Sequence, residues 1–242
     1  IDRITTYARS KTAAKKSLDE LRQLKEAGIS RIHIGLESGY DPVLQFLDKG
    51  TTADDHIRGG RNIVASGISL SEYVMPGAGG KTWWREHALE TARVLNEINP
   101  DFIRLRTLTI QPRMELSASV ADGSFVRADD ELIAREIRLF IENLDVTSEI
   151  VSDHIINLLP QVAGRMPDDK EKMLAVIDRF LDLPQQEKDI YKLGRRLGVY
   201  ERLDDLADEA RRAEVKRIME QVKARDDIAL DDVLFNLMER YV

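Results

Sequence analysis

The chain has 242 residues, no Cys and a formal net charge of −7. The lack of Cys excludes disulfides and thiolate catalysis, and the negative charge argues against a general affinity for nucleic-acid phosphates. Because the sequence contains neither an apolar run of about 18 residues nor a secretory signal pattern, we expect a cytoplasmic protein that does not bind a membrane.

Short β-rich runs alternate with amphipathic helices through the first half of the chain. A capping box from Ser17 to Glu20 begins a helix that Gly28 ends, and Gly67 ends another that begins at Thr52. This alternation is typical of βαβ units and a parallel sheet. The strands are predicted over residues 2–9, 31–36, 69–75 and 102–108, and further helices over 41–50 and 83–98.

The predicted strands carry polar residues at alternate positions. Strands of an open sheet that is covered on both faces read as nearly continuous apolar runs instead. We therefore predict an α/β fold with a partial TIM-like (βα) barrel of parallel strands, whose lumen is polar. Four strands do not close a barrel, so we expect the remaining strands upstream of Ile1, and an exposed sheet edge that favours a homodimer.

The strand pattern stops near residue 125. We therefore divide the chain into barrel residues 1–125 and an all-helical extension over 126–242. Proline and glycine residues separate the predicted helices of the extension. These helices cover residues 129–144, 147–159, 168–182, 185–197, 202–224 and 230–241.

The carboxyl ends of the predicted strands are where functional residues of parallel α/β folds lie. Glu37 could accept hydrogen bonds from ribose hydroxyls or bind an ammonium group, or it could cap the following helix. Arg104 and Arg106 share a strand face and could hold an anionic substrate or pair with lumen carboxylates. The four His residues show no paired ligand spacing, so we predict no metal site. The other candidates are Tyr7, Arg9, Ser38, Ser71 and Glu72.

Three stretches carry a resemblance to a known family. Residues 32–50, IHIGLESGYDPVLQFLDKG, resemble the fourth strand and following helix of radical S-adenosylmethionine (SAM) enzymes close to oxygen-independent coproporphyrinogen oxidase and the elongator acetyltransferase. The stretches SEYVMPGAGG and NPDFIRLRTL resemble the fifth and sixth strands of that barrel. The resemblance covers residues 1 to about 110 and implies that this part of the chain binds SAM.

The resemblance also implies roles for single residues. Glu37, with Ser38 beside it, would contact SAM at its ribose. Lys49 would bind the SAM carboxylate where the coproporphyrinogen enzymes have Arg, and a Lys keeps the charge but loses the bidentate geometry.

On the other strands, the resemblance favours Glu72 over Ser71 as a ribose contact, although alternation does not decide which of the two points inward. Tyr7 or Arg9 would lie near the methionyl group of SAM, and Tyr7 is the residue that we favour there. The residues that would face the unknown substrate are Arg9, Arg104 and Arg106.

One departure from the family is large. Radical SAM enzymes hold a [4Fe–4S] cluster on a CxxxCxxC loop after the first strand, and this sequence has no Cys. Either the loop lies upstream of Ile1 or the barrel is degenerate, and we expect the former. The cluster and the 5′-deoxyadenosyl radical would then belong to a full-length parent enzyme, whereas this chain alone should not cleave SAM reductively.

Two other functions compete with this interpretation. The barrel could be a non-catalytic scaffold whose helical half binds a protein partner, which an apolar patch on the helices would favour. It could also be a lyase or aldolase that uses Glu37 as a base. A lyase or aldolase of this kind would need a partnered acid or a Schiff-base Lys on a strand, and no predicted strand ends in Lys.

Overall fold

The protein is described here by a computed structural model that covers residues 3–224 and 229–241. Its strands form one sheet in chain order, in which the first five pair in parallel and the sixth pairs antiparallel to the fifth. The predicted α/β fold with a partial barrel of parallel strands is confirmed, although two short strands at residues 149–151 and 164–165 lie within the predicted all-helical extension. The strands are β1 (Ile4–Ala8), β2 (Ile29–Glu37), β3 (Ser69–Val74), β4 (Phe102–Leu105), β5 (Glu149–Val151) and β6 (Gly164–Arg165).

Eleven α-helices occur in the described ranges. They are α1 (Ser10–Ala13), α2 (Leu18–Glu26), α3 (Asp41–Phe46), α4 (Ala53–Ser66), α5 (Gly80–Ile98), α6 (Leu116–Ala121), α7 (Asp130–Glu142), α8 (Lys170–Leu181), α9 (Gln185–Arg196), α10 (Glu209–Lys223) and α11 (Leu230–Met238). Two 3-10 helices cover Leu203–Ala207 and Glu239–Tyr241. Of these helices, none is long and apolar enough to cross a membrane.

Local sequence signals explain where the first helices begin and end. The Glu20 N–H donates to the Ser17 hydroxyl and the Ser17 N–H donates to the Glu20 carboxylate, which is the predicted capping box of α2. Gly67 ends α4 in the left-handed region with a φ of 78°. Asp2, the first residue of the predicted 2–9 strand, lies outside the described residues.

The two faces of the sheet differ as the alternation predicts. On one face, Glu72 of β3 pairs with Ile34 of β2 and with Ile103 of β4. The two isoleucine side chains are buried in the core with α4 and α5, and this face is here called the covered face. On the other face, Tyr7 pairs with His33, and Tyr73 pairs with Arg104. Tyr7 is 73% exposed, so this second face, here called the open face, meets solvent.

The helix predicted over 147–159 is wrong. Residues Glu149–Val151 form β5, which pairs with β4 and buries Ile150 on the covered face of the sheet. The loop that follows is fixed by Asn157, whose amide donates to the Leu105 carbonyl at 2.9 Å. The sheet therefore continues past residue 125, because the β-branched residues Ile150 and Val151 favour a strand and pair with β4.

Candidate functional site

A cavity of about 850 Å³ opens at the carboxyl ends of β1, β2 and β3. This is the position at which parallel α/β folds place their ligands. The volume lies within the range of small-molecule sites, roughly 300–1,000 Å³. Its lining residues are Tyr7, Ala8, Arg9, Ser10, Lys11, Gly35, Glu37, Asp48, Lys49, Gly50, Thr51, Tyr73, Met75 and Arg106.

An ion pair forms part of the cavity wall. The Lys49 ammonium donates to Glu37 Oε1 at 3.0 Å, and the two side chains are 31% and 16% exposed. Glu37 has a φ of 60°, and its carboxylate folds back over Gly35, where a Cβ would collide with Oε1. A side chain at position 35 would therefore displace this carboxylate, and the pair offers both a hydrogen-bond acceptor and a cation to a ligand.

Three rings are stacked on the open face beside this pair. The ring centroids of Tyr7 and His33 are 5.1 Å apart, and those of His33 and Tyr73 are 5.6 Å apart. The Arg106 guanidinium lies over the Tyr73 ring, 4.9 Å from its centroid. Burial, followed by the nearby guanidinium of Arg104, lowers the pKa of His33. The face therefore combines flat aromatic surfaces with positive charge.

Most of the predicted site residues meet in this cavity. Tyr7, Arg9, Glu37, Lys49 and Arg106 line it together, although Lys49 is twelve positions from its partner. Arg104 lies on the same open face but outside the cavity lining, and its guanidinium donates to Asp153 at 3.0 Å. For Arg104 the structure shows the ion pair that was the alternative to substrate binding.

Ser38 does not line the cavity, contrary to the prediction. The backbone turns at Glu37, so that Ser38 is fully buried beneath α5. Its hydroxyl is hydrogen-bonded to His87 Nδ1 at 2.8 Å and accepts the Tyr40 N–H at 3.0 Å. Both contacts are made in the protein interior, and Ser38 is not among the residues that line the cavity.

Glu72 does not point inward, and the preference for it over Ser71 is wrong. It pairs with Ile34 and Ile103 in the row on the covered face, and none of its surface is exposed. Neither carboxylate oxygen has a hydrogen-bond partner among the described residues. Burial, followed by repulsion from Glu37, raises the pKa of Glu72 well above its usual range. Ser71 lies on the open face, in phase with Tyr73.

Sequence reasoning missed several residues of this region. Tyr73 and Met75 line the cavity at the end of β3, and the two-residue period of a strand from Ser71 could have identified Tyr73. The Ser10 hydroxyl is hydrogen-bonded to Nδ1 of His56, a contact that joins α1 to α4. Burial, followed by the charge of Lys49, lowers the pKa of His56 to about 4. No local signal predicts this contact, because it joins residues far apart in sequence.

Sequence comparison relates the chain to archaeal proteins, and no family model matches it. It is 29% identical over 85 residues to the tRNA uridine(34) acetyltransferase of Methanocaldococcus jannaschii, which is 34% of this chain and 15% of that protein. The acetyltransferase of Methanocaldococcus infernus is 28% identical over 86 residues, 35% of this chain and 15% of that protein. An uncharacterised M. jannaschii protein is 24% identical over 131 residues, 54% of this chain and 40% of that protein.

Structure comparison also finds an archaeal protein of this kind. M. infernus Elp3, solved with residues 1–46 deleted, matches the fold with a TM-score of 0.53 and 18% identity, over 73% of this chain and 42% of that chain. At this identity the match shows a shared fold. The sequence similarity to the two acetyltransferases, over about a third of this chain, supports an Elp3-like relationship. The chain spans only 15% of the length of each acetyltransferase that it matches.

Proposed function

We propose that the cavity binds SAM and that the chain is the SAM-binding part of a radical SAM enzyme of the Elp3-like type. The Glu37–Lys49 pair in a cavity of about 850 Å³ is the observation that carries this proposal. The supporting comparison is the similarity to the tRNA uridine(34) acetyltransferases.

The chemistry of the pair suits the groups of SAM. The Glu37 carboxylate would accept hydrogen bonds from the ribose hydroxyls, and the Lys49 ammonium would bind the SAM carboxylate. Without a ligand the two side chains neutralise each other at 3.0 Å, so that neither charge faces the cavity unpaired. Tyr7 would lie beside the methionyl group. Bound SAM would supply the adenosyl group for radical chemistry.

The [4Fe–4S] cluster of that chemistry does not fit these residues. The sequence has no Cys, and the part of the chain that the structure describes holds no group of three or more His, Asp or Glu side chains suited to a metal. Cluster ligands would therefore have to come from polypeptide outside these 242 residues. We propose that this chain by itself binds SAM and does not cleave it.

For the substrate we propose an RNA nucleotide. The sequence relatives are named as acting on a uridine of tRNA. The net charge of −7 argues against a general affinity for nucleic acid. The open face, however, carries guanidinium groups near His33, and its aromatic rings are stacked. Aromatic rings stack on bases and guanidinium groups bind phosphates, so this face has the chemistry that a nucleotide requires. The arginines that line the cavity and would contact it are Arg9 and Arg106.

Isothermal titration of SAM into the chain tests the proposal. Glu37→Gln and Lys49→Met should each weaken binding by about tenfold or more, because each removes a charge-assisted hydrogen bond worth about 1.5–3 kcal/mol. The matched controls are Glu142→Gln and Lys172→Met, whose side chains are 50% and 69% exposed and lie outside the cavity. Wild-type affinity in both cavity variants would overturn the proposal and favour the non-catalytic scaffold.

A further inference from the structure

A buried hydrogen-bond network lies behind the cavity and is centred on His87 of α5. His87 Nδ1 is 2.8 Å from the Ser38 hydroxyl, and Nε2 is 3.2 Å from the Met75 carbonyl. Nε2 is also 3.4 Å from Glu136 Oε1 on α7. His87 and Glu136 are 1% and 2% exposed, so that these contacts are shielded from water.

The protonation states of His87 and Glu136 determine which ring nitrogen of His87 donates a hydrogen bond and which accepts one. Burial lowers the pKa of His87 to about 4 and raises that of Glu136 to about 8, so both groups are neutral near pH 7. A neutral imidazole has one N–H, which Nε2 uses to donate to the Met75 carbonyl, while Nδ1 accepts the Ser38 hydroxyl proton. Glu136 Oε1 in turn accepts the Gly77 N–H at 2.9 Å.

The network holds the two loops that form one wall of the cavity. Ser38 follows Glu37 directly, and Met75 is itself a lining residue whose N–H donates to the Glu37 carbonyl at 3.0 Å. One turn along α5 from His87, the Thr91 hydroxyl accepts the Gly39 N–H at 2.8 Å. A change at His87 would therefore reach Glu37 through both loops.

We infer that His87 is a positioning residue for the ligand cavity, and that Glu136 joins helix α7 of the C-terminal half to the same cavity wall. The identity of the ligand as SAM rests on the proposed function, whereas the positioning of the wall does not. Helix α7 thereby takes part in the site, because it supplies the acceptor for the Gly77 N–H.

Three substitutions at His87 separate the two arms of the network. His87→Asn keeps an acceptor near the Nδ1 position and loses the contact to Met75, whereas His87→Gln keeps a donor near the Nε2 position and loses the contact to Ser38. His87→Phe removes both. Leu95→Ala is the control for core damage, because Leu95 is fully buried on the same helix and does not belong to the network.

Amide hydrogen exchange at single-residue resolution and SAM titration are the two measurements. Relative to Leu95→Ala, we expect His87→Asn to speed exchange at Gly77 and His87→Gln to speed it at Gly39 and Tyr40, each by about tenfold or more. SAM binding should weaken by about tenfold in His87→Phe. Exchange in α8 and α9 should stay unchanged.

The outcomes separate this inference from the proposed function. The expected exchange pattern in a protein that does not bind SAM would support the positioning role and reject SAM as the ligand. Exchange in His87→Asn and His87→Gln within twofold of the Leu95→Ala control would overturn the positioning role, whatever the SAM affinity of the wild type.

Discussion

Replacing Glu72 by Met should stabilise the protein. The Glu72 carboxyl group is fully buried on the covered face, and neither oxygen has a hydrogen-bond partner within the described residues. An unsatisfied buried polar group costs about 1–3 kcal/mol, and Met fills a similar volume without that cost. For a chain of this size a gain of about 1–3 kcal/mol corresponds to a rise in melting temperature of about 2–12 °C.

The stability difference between the wild type and Glu72→Met should also depend on pH. Burial raises the pKa of Glu72 in the folded state, so the unfolded carboxyl ionises near its usual pKa of 4.5 while the folded one keeps its proton. The wild-type free energy of unfolding should therefore fall relative to Glu72→Met as the pH rises above about 4.5. Urea unfolding followed by circular dichroism at about pH 5 and pH 8 measures this difference.

Two results would refute the reasoning. One is a loss of stability in Glu72→Met at about pH 8, which would mean that the carboxyl group has a stabilising partner. The other is a difference between the two proteins that does not grow with pH. Glu142→Met serves as the control, because Glu142 is 50% exposed and a substitution there should change stability by no more than about 0.5 kcal/mol.

Two further predictions concern His56, which lies behind the cavity-lining residue Ser10, and Gly35 of the cavity wall. Burial lowers the pKa of His56 to about 4 in the folded state. As the pH falls from about 6.5 to 4, His56 therefore binds a proton in the unfolded state but not in the folded state. The free energy of unfolding should fall by roughly 3 kcal/mol over this range. His56→Asn should remove this loss in urea unfolding, and an unchanged acid sensitivity would contradict it. Gly35→Ala should weaken SAM binding by about tenfold, because its Cβ displaces the Glu37 carboxylate. Wild-type affinity in that variant would show that the carboxylate does not contact the ligand.

The sequence predicts the parts of the fold that local physics determines. The capping box at Ser17 and the glycine stops set helix limits without help from the rest of the chain. In β3, alternation leaves Ser71 and Glu72 undecided, and the resemblance favours Glu72. The structure shows that Leu70 and Val74, which are apolar and in phase with Glu72, place that carboxyl on the covered face.

Long-range packing decides what the sequence does not predict. The turn that buries Ser38 depends on Gly39, where any Cβ would collide with the backbone of α5 at Glu90 and Thr91. The three residues of β5 become a strand only because β4 lies beside them. Neither neighbour is close in sequence, so no local window contains the information.

The two edges of the sheet have different capacities for growth. On one side, β6 is two residues long and runs antiparallel to its neighbour, so it leaves little backbone for another strand to join. On the other side, β1 has five residues and only one strand partner in the described chain, with Ile4 41% exposed. Any polypeptide that lengthens this sheet, whether a second copy or further strands of a barrel, would therefore add beside β1, and the sheet would extend in one direction.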